Sequence, residues 1–308
     1  MDTDKRPALS GNPLRFAHLS DLHLPHEPGL RLSERFSKRQ LSVWSWQRRR
    51  RTVQSPAVLE ALRGEMSSYR PDRILVTGDI TNFSLPAEFA SAAQWLDGLP
   101  APVSIVPGNH DALVPVSNEQ GWGHLQRWST ATQWPYVQRH GMASLIGLRS
   151  AVPTAPLLAS GRLGTAQRER LARVLGEERT AGQIRILMLH HPVADGAVSS
   201  RKALRDRREL RAVLREQGAD LVLHGHARNA RLDALPGPSG PIPCLCVPSS
   251  TALPNEHDEA ARWHLLELPR VTGGWARVLV RQWTVGDGAA AGGFTDAAHY
   301  ELRLGCVK

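Results

Sequence analysis

The stretch that most limits what this chain can fold into is a short apolar run that stops at Pro107 and Gly108 and delivers Asn109, His110 and Asp111. Proline and glycine end a strand and fix the turn behind it, so ligand-type side chains leave the sheet together. Four other apolar runs share the design. Residues 14–20 lead into Asp21 and His23, and residues 73–77 into Gly78 and Asp79. Residues 184–189 end in His190 and His191, and residues 219–223 in His224 and His226. In an extended segment residues i and i+2 face the same way, so Asp21 and His23 can grip one ion.

Between these runs lie helical patterns. Ser55 and Pro56 are an N-cap and first-turn proline for a helix over 55–69, and Pro86 opens one that runs to about Asp97. Thr165 opens a helix over 165–179, and a charged helix covers about 203–217. Strands are expected at 103–106, 144–149, 244–247, 262–268 and 275–283, and residues 236–243 read as a Pro/Gly-rich connection. Strand, helix, strand in succession means an α/β fold. Residues 112–142, with Trp122, Trp128 and Trp134, read as an irregular flap beside the site. One domain over 13–285 and a less ordered tail over 286–308 complete the expected organisation.

The segment 30–51 stands apart: Arg35, Lys38 and Arg39, then Trp44 and Trp46, then four arginines at 48–51. Leu32, Phe36, Val43 and Trp46 fall at roughly helical spacing. Three readings stay open: a basic amphipathic helix on an anionic membrane surface, a cap over the site, or a solvated helix whose tryptophans pack on the domain.

With 308 residues, 41% hydrophobic and 22% charged, the chain can bury one sizeable core, which excludes disorder and fibrous repeats. A net charge of +9 favours anionic partners, namely phosphate esters, nucleic acid or acidic lipid. Lysine occurs only at 5, 38, 202 and 308, an arginine bias that a GC-rich genome explains as readily as phosphate recognition does. No nucleic-acid reading motif accompanies the arginines, so a nuclease ranks below an enzyme of small molecules. Cys244, Cys246 and Cys306 show no zinc-type pairing and are expected as thiols. The polar N-terminus and the lack of any apolar run of ~18 residues make a cytoplasmic location the expectation, with peripheral contact at the inner face of the membrane left open.

Asp21 with His23, Gly78 with Asp79, Gly108 to Asp111, His190, and His224 with His226, in that order, resemble the calcineurin-like metallophosphoesterase superfamily. Asn82, Phe83 and Glu88 also look like its bacterial branch. The resemblance implies two packed mixed β-sheets flanked by helices, a four-layer αββα fold. It implies two divalent metal ions, one held by Asp21, His23, Asp79 and His226, the other by Asp79, Asn109, His190 and His224. Asp79 is the bridge. His190 is preferred to His191 because it comes first off the strand. Imidazole mixed with oxygen ligands suits Mn, Fe or Zn better than Ca.

Phosphodiesters resist water because their oxygens repel a nucleophile and the alkoxide leaves poorly. Two cations answer both difficulties by neutralising the oxygens and acidifying an attacking water. The resemblance makes His110 the general acid, with Asp111 orienting its ring. The leading expectation is therefore a phosphodiesterase of a small organic phosphate. A membrane-surface pyrophosphatase of a nucleotide-linked lipid is the alternative that residues 30–51 motivate. A non-catalytic scaffold of the same fold is the alternative from another class, and here no ligand position is missing.

Overall fold

The structure, a computed structural model, describes residues 12–272, 274–286 and 292–305. Two six-stranded sheets carry the fold. In the first, β1 (Leu14–Leu19), β2 (Arg73–Val76) and β3 (Val103–Ile105) run parallel, and β10 (Arg262–Leu268), β11 (Trp275–Val285) and β12 (Gly292–Arg303) extend the sheet antiparallel beyond β1. The second sheet has the order β4 (Tyr136–His140), β5 (Ala143–Gly147), β6 (Ile184–Met188), β7 (Leu221–His224), β9 (Gly240–Cys246), β8 (Arg231–Gly237), with β5, β6, β7 and β9 parallel.

Alternation along the strands creates the layers. Leu14 and Phe16 of β1, Leu75 of β2, Ile184, Ile186 and Met188 of β6, and Leu221 and Leu223 of β7 fill a core shared by both sheets. Their neighbours Ala17, Leu19, Ile74 and Val76 turn outward onto the helices Pro56–Tyr69 and Pro86–Asp97. Leu187 and Val222 turn outward onto the helices Thr165–Thr180 and Arg207–Gln217. Strands apolar on both faces are what a sheet covered on both sides requires. The expected αββα architecture is the one observed. Ser55 caps its helix as expected, its hydroxyl accepting from the amide of Val58.

Three expectations need correction. The segment after 285 is not a tail: β12 pairs with β11 from Trp275 opposite Arg303 to Val285 opposite Gly292. Its sequence hid this because an edge strand held by main-chain bonds needs few apolar residues, and here chiefly Phe294 and Leu302 are buried. The Pro/Gly-rich stretch 236–243 is the tip of a β8–β9 hairpin. Pro241 and Pro243 pair only with β8, whereas β7 begins to pair at Cys244, so neither proline interrupts the central ladder. The tryptophans of 112–142 do not overhang the site. Trp122 packs into the outer core beside the helix Pro86–Asp97, and the Trp134 ring lies between those of Trp122 and Tyr136.

Cys244 and Cys246 are free, buried thiols on β9, and burial pushes their ionisation upward. Cys306 lies outside the described residues. Among the described residues no helix is long and apolar enough to cross a membrane.

Candidate metal centre

Every sequence-predicted ligand leaves the carboxyl end of a parallel strand: Asp21 and His23 after β1, Asp79 after β2, Asn109 after β3, His190 after β6, His224 and His226 at β7. Open α/β sheets gather ligands at this edge. Two facing sheets here bring their edges to one place. Main-chain bonds of 2.9 Å from Asp21, His23 and Leu24 to the carbonyls of Gly78, Asp79 and Ile80 continue the β1–β2 pairing through the ligand loops.

The backbone is bent to serve these side chains. Asp21, His23, Asp79 and His226 all have positive φ, between 41° and 68°. Asp and His tolerate this region better than most residues, yet it costs on the order of 1 kcal/mol each, and such strain persists where surrounding structure enforces it. Gly108 and Gly225 allow the loops to close. A Cβ on Gly108 would stand 2.2 Å from Asp79 Oδ1, and one on Gly225 2.4 Å from Asp21 Oδ2.

Hydrogen bonding fixes the histidines in one sense. A main-chain carbonyl can only accept, so the ring nitrogen facing it carries the hydrogen. Nδ1 faces such a carbonyl in His23 (Thr81, 3.2 Å), His190 (Thr77, 2.8 Å) and His224 (Gly225, 3.0 Å), and Nε2 does so in His226 (Lys202, 3.1 Å). The opposite nitrogen of each ring is left with a lone pair, the arrangement that orients metal-binding imidazoles. His224 Nε2 is buried with no partner among the described residues. Nδ1 of His226 lies 3.2 Å from Nε2 of His190, which also sits 3.2 Å from Asn109 Oδ1 and 3.3 Å from Asp79 Oδ2.

Asp79 joins two clusters, His23–Asp79–His110 and Asp79–His190–His226. Its Oδ2 faces Nε2 of His190 and, at 3.9 Å, Nε2 of His23, while Oδ1 accepts from the His110 amide at 2.7 Å. His226 falls in the cluster with Asp79 and His190, while its amide reaches Asp21. Asp21 Oδ2 accepts from Ser20 Oγ (2.7 Å) and from the His226 amide (3.0 Å).

The electrostatics favour positive charge in this space. Burial opposes ionisation of Asp79, but the charge of His190 and its hydrogen bond lead the neighbouring histidines in more than offsetting it and hold the carboxyl well below its usual range. Burial likewise opposes a charged His190, yet the Asp79 carboxylate raises it to about 9. His191 sits behind, its Nδ1 2.8 Å from Ser150 Oγ and its Nε2 3.1 Å from the Ala159 carbonyl; burial and the charge of His190 lower it to about 3. Converging lone pairs, one orphaned imidazole nitrogen and a carboxylate facing both clusters fit divalent cations of the imidazole-and-oxygen type.

His110 is positioned differently from expectation. Its Nδ1 faces the Asn82 carbonyl at 2.8 Å, and its Nε2 lies 2.9 Å from Arg50 Nη1. Burial and the adjacent guanidinium hold its imidazolium form far below the ordinary histidine range. Asp111 does not orient the ring. Its carboxylate instead accepts from the amides of Ile80, Thr81 and Gly108 and from the Thr81 hydroxyl, tying the loops after β2 and β3 together. Burial first, then the charge of Asp79, pushes it up to about 6. Sequence reasoning assigned Asp111 by adjacency, whereas the turn points it away from its neighbour's ring.

Residues 30–51 fold as one turn of 3-10 helix (Leu32–Phe36), an α-helix (Lys38–Ser45) and a π-helical turn (Trp46–Arg50). Trp46 is buried against Phe83, and Arg39 bonds the carbonyls of Phe83 and Ser84. The segment thus roofs a cleft of about 460 Å³ lined by five of the candidate ligands, Asp21, His23, Asp79, Asn109 and His226, and by side chains that include Lys38, Leu41, Arg50, Leu157, Lys202 and Arg228. Sequence reasoning did not single out Arg50, Lys202 or Arg228. A run of four arginines gives no sign of which member turns inward.

The calcineurin-like phosphoesterase family profile matches residues 14–227, the span that holds every candidate ligand. This chain belongs to that family. The family depends on a dinuclear metal centre, and the phosphoesterase described here carries residue groups that can form one. A protein of Synechococcus sp. named a probable cyclic nucleotide phosphodiesterase is 26% identical over 272 residues, covering 83% of this chain and 88% of that one. The glycerophosphodiester phosphodiesterase GpdQ of Enterobacter lignolyticus is 48% identical over 42 residues, 14% of this chain and 15% of its own. A dimetal phosphatase of Danio rerio superposes with a TM-score of 0.61 at 12% identity, over 95% of this chain and 99% of that one. The purple acid phosphatase PPD1 of yellow lupin gives 0.57 at 12% identity, over 97% of this chain and 55% of that one. At that identity the likeness concerns the fold alone.

Proposed function

We propose that this phosphoesterase hydrolyses phosphodiesters of small organic molecules with two divalent cations, Mn, Fe or Zn. The observation that carries the reading is Asp79 Oδ2 facing Nε2 of both His23 and His190, with His110 beside it at the floor of a cationic cleft. The names of the Synechococcus and Enterobacter relatives support a diester. Asp21, His23, Asp79, Asn109, His190, His224 and His226 would hold the ions. When bound, these neutralise the phosphoryl oxygens and lower the pKa of water.

The chain's own residues do the rest. His110 keeps its Nδ1 hydrogen on the Asn82 carbonyl, so Nε2 is the atom that reaches the departing oxygen. Arg50 disfavours a second proton there until an anionic substrate offsets its charge. Nε2 then carries the proton that the leaving alkoxide needs. The roof formed by residues 38–50 limits water in the cleft and strengthens these interactions.

The protein loaded with Mn is expected to cleave bis-(p-nitrophenyl) phosphate, and Asn109→Ala to lose both metal and activity. Wild-type protein at full metal occupancy that cleaves no diester, monoester or pyrophosphate would sink the reading.

A second reading has its own observation. Phe36 is 96% exposed, Leu157 73% and Trp44 52%, and Leu157 with Leu41 lines the cleft, so an apolar rim adjoins a cationic interior. A phosphate ester of a lipid, met at an anionic membrane surface, would suit both. Flotation with anionic liposomes distinguishes this substrate from a soluble one.

A further inference from the structure

Three cations that are not candidate metal ligands converge on the cleft. Arg50 descends from the π-helical turn of the roof, Lys202 comes from the loop before the helix Arg207–Gln217, and Arg228 lies two residues beyond His226. Separate chain segments that aim like charges into one space pay a repulsion that folding alone does not reward. The three side chains line one cleft, and the Lys202 carbonyl lies 3.1 Å from His226 Nε2, which places the segment carrying this cation against the metal centre. Burial lowers Arg50 to about 10; the Asp79 carboxylate opposes the shift and Arg228 adds to it.

Compensation is incomplete. Asp258 stands 3.5 Å from Arg228 Nε and, among the described residues, is the one lining carboxylate besides the candidate ligands Asp21 and Asp79. Arg50 Nε is buried without a partner among the described residues, and Nη1 is directed to a neutral ring nitrogen rather than to an anion. Lys38, also lining the cleft, is different: Thr154 Oγ1 and the Leu158 carbonyl occupy its ammonium at 2.6 and 2.8 Å, and it braces the roof. Over the whole lining, Lys38, Arg50, Arg201, Lys202 and Arg228 stand against Asp21, Asp79 and Asp258, five cations to three carboxylates, and the excess of two positive charges matches a phosphoryl group better than a carboxylate.

We propose that Arg50, Lys202 and Arg228 form an anion subsite beside the metal centre that takes a second phosphoryl group. The inference deepens the proposed function, on which its substrate assignment rests, by narrowing the substrate to diesters that carry two phosphoryl groups, such as pyrophosphate-linked ones. Guanidinium groups supply forked donors to phosphoryl oxygens, and Lys202 supplies a point charge. The scissile phosphoryl group lies at the ligands, and the second is gripped by these side chains.

Calorimetric titration of EDTA-treated protein with inorganic pyrophosphate tests the subsite without the metals. Wild type is expected to bind, more weakly as salt is raised. Lys202→Ala and Arg228→Ala should each weaken binding about tenfold or more, while Arg215→Ala, which removes the same charge from an exposed helix position, leaves it unchanged. No binding by wild type, or equal binding by all three variants, overturns the proposal.

A second arm uses metal-loaded protein and compares kcat/KM for a pyrophosphate-linked nucleoside diester with that for bis-(p-nitrophenyl) phosphate. The ratio should fall about tenfold or more in Lys202→Ala and Arg228→Ala, and an unchanged ratio overturns the substrate assignment. Pyrophosphate binding that depends on these residues in a protein that hydrolyses nothing would retain the subsite and reject the phosphodiesterase. Hydrolysis with no such dependence would do the reverse.

Discussion

At the scale of single residues, the proposed function assigns metal binding to Asp79 and proton transfer to His110. Because one carboxylate oxygen of Asp79 faces both histidine clusters, Asp79→Asn should lower metal content at both positions, whereas Asp21→Asn should weaken chiefly one. Calorimetric titration with Mn checks this, and loss of the same single ion from both variants would remove Asp79 from the bridging position. His110→Ala should keep its metal and lose on the order of 10² to 10⁴ in turnover of an alkyl diester, with a smaller loss for p-nitrophenyl esters that need less protonation. Glu88, in the same constellation, holds a loop. Its carboxylate accepts from the amides of Asn82, Phe83 and Leu85, yet burial raises its pKa from 4.5 to about 7. A raised pKa in the folded state means that the folded protein holds the proton more tightly. The associated stability is full below pH ~4.5 and lost as pH rises through about 7, a difference of about 3 kcal/mol. Urea denaturation of EDTA-treated protein between pH 5 and 7 should show this fall in wild type and a flatter profile in Glu88→Gln.

At the scale of elements, the roof of residues 32–53 decides how the site is used. Its helix meets the domain through Val43 and Trp46, packed on Phe83 and Leu85, while Phe36 and Trp44 face outward. Trp46→Ser should therefore destabilise the roof by about 3–5 kcal/mol, the usual cost of emptying a buried aromatic position, and raise KM for every substrate. The double variant Phe36→Ser with Trp44→Ser should leave thermal stability within ~0.5 kcal/mol of wild type and reduce flotation with anionic liposomes. Flotation equal to wild type would mean that the exposed aromatics do not contact lipid. The sequence placed two tryptophans and four arginines in this segment but could not separate the outward-facing Trp44 from the buried Trp46, or Arg50 from its neighbours. Only their contacts, Phe83 for one and His110 for the other, assign them.

At the scale of the whole molecule, two sheets must pack before any ligand set exists, because Asp21, Asp79 and Asn109 hang from one sheet and His190, His224 and His226 from the other. The far strand of the first sheet contributes to that packing. Ending the chain at Val285 would remove β12 with Phe294, Leu302 and Leu304 and uncover Trp283, whose ring lies 5.5 Å from that of Phe294. At ~1.5–3 kcal/mol per large apolar side chain the melting temperature should fall by about 10 °C or more, as thermal unfolding would show. Local signals were enough for much of this protein: apolar runs that stop at Gly, Pro or His mark the parallel strands, their polar ends name the candidate ligands that the fold brings together, and Ser55 with Pro56 marks a helix start. Each depends on residues a few positions apart. The inward turn of Arg50, the loop-tying bonds of Asp111 and the meeting of Arg50 with Lys202 and Arg228 depend on partners about 30 to 180 residues away, and β12 shows only in its pairing with β11 and its contact with the helix Pro56–Tyr69. Those distances are spanned only when the two sheets close on their common core, and the tertiary structure alone decides them.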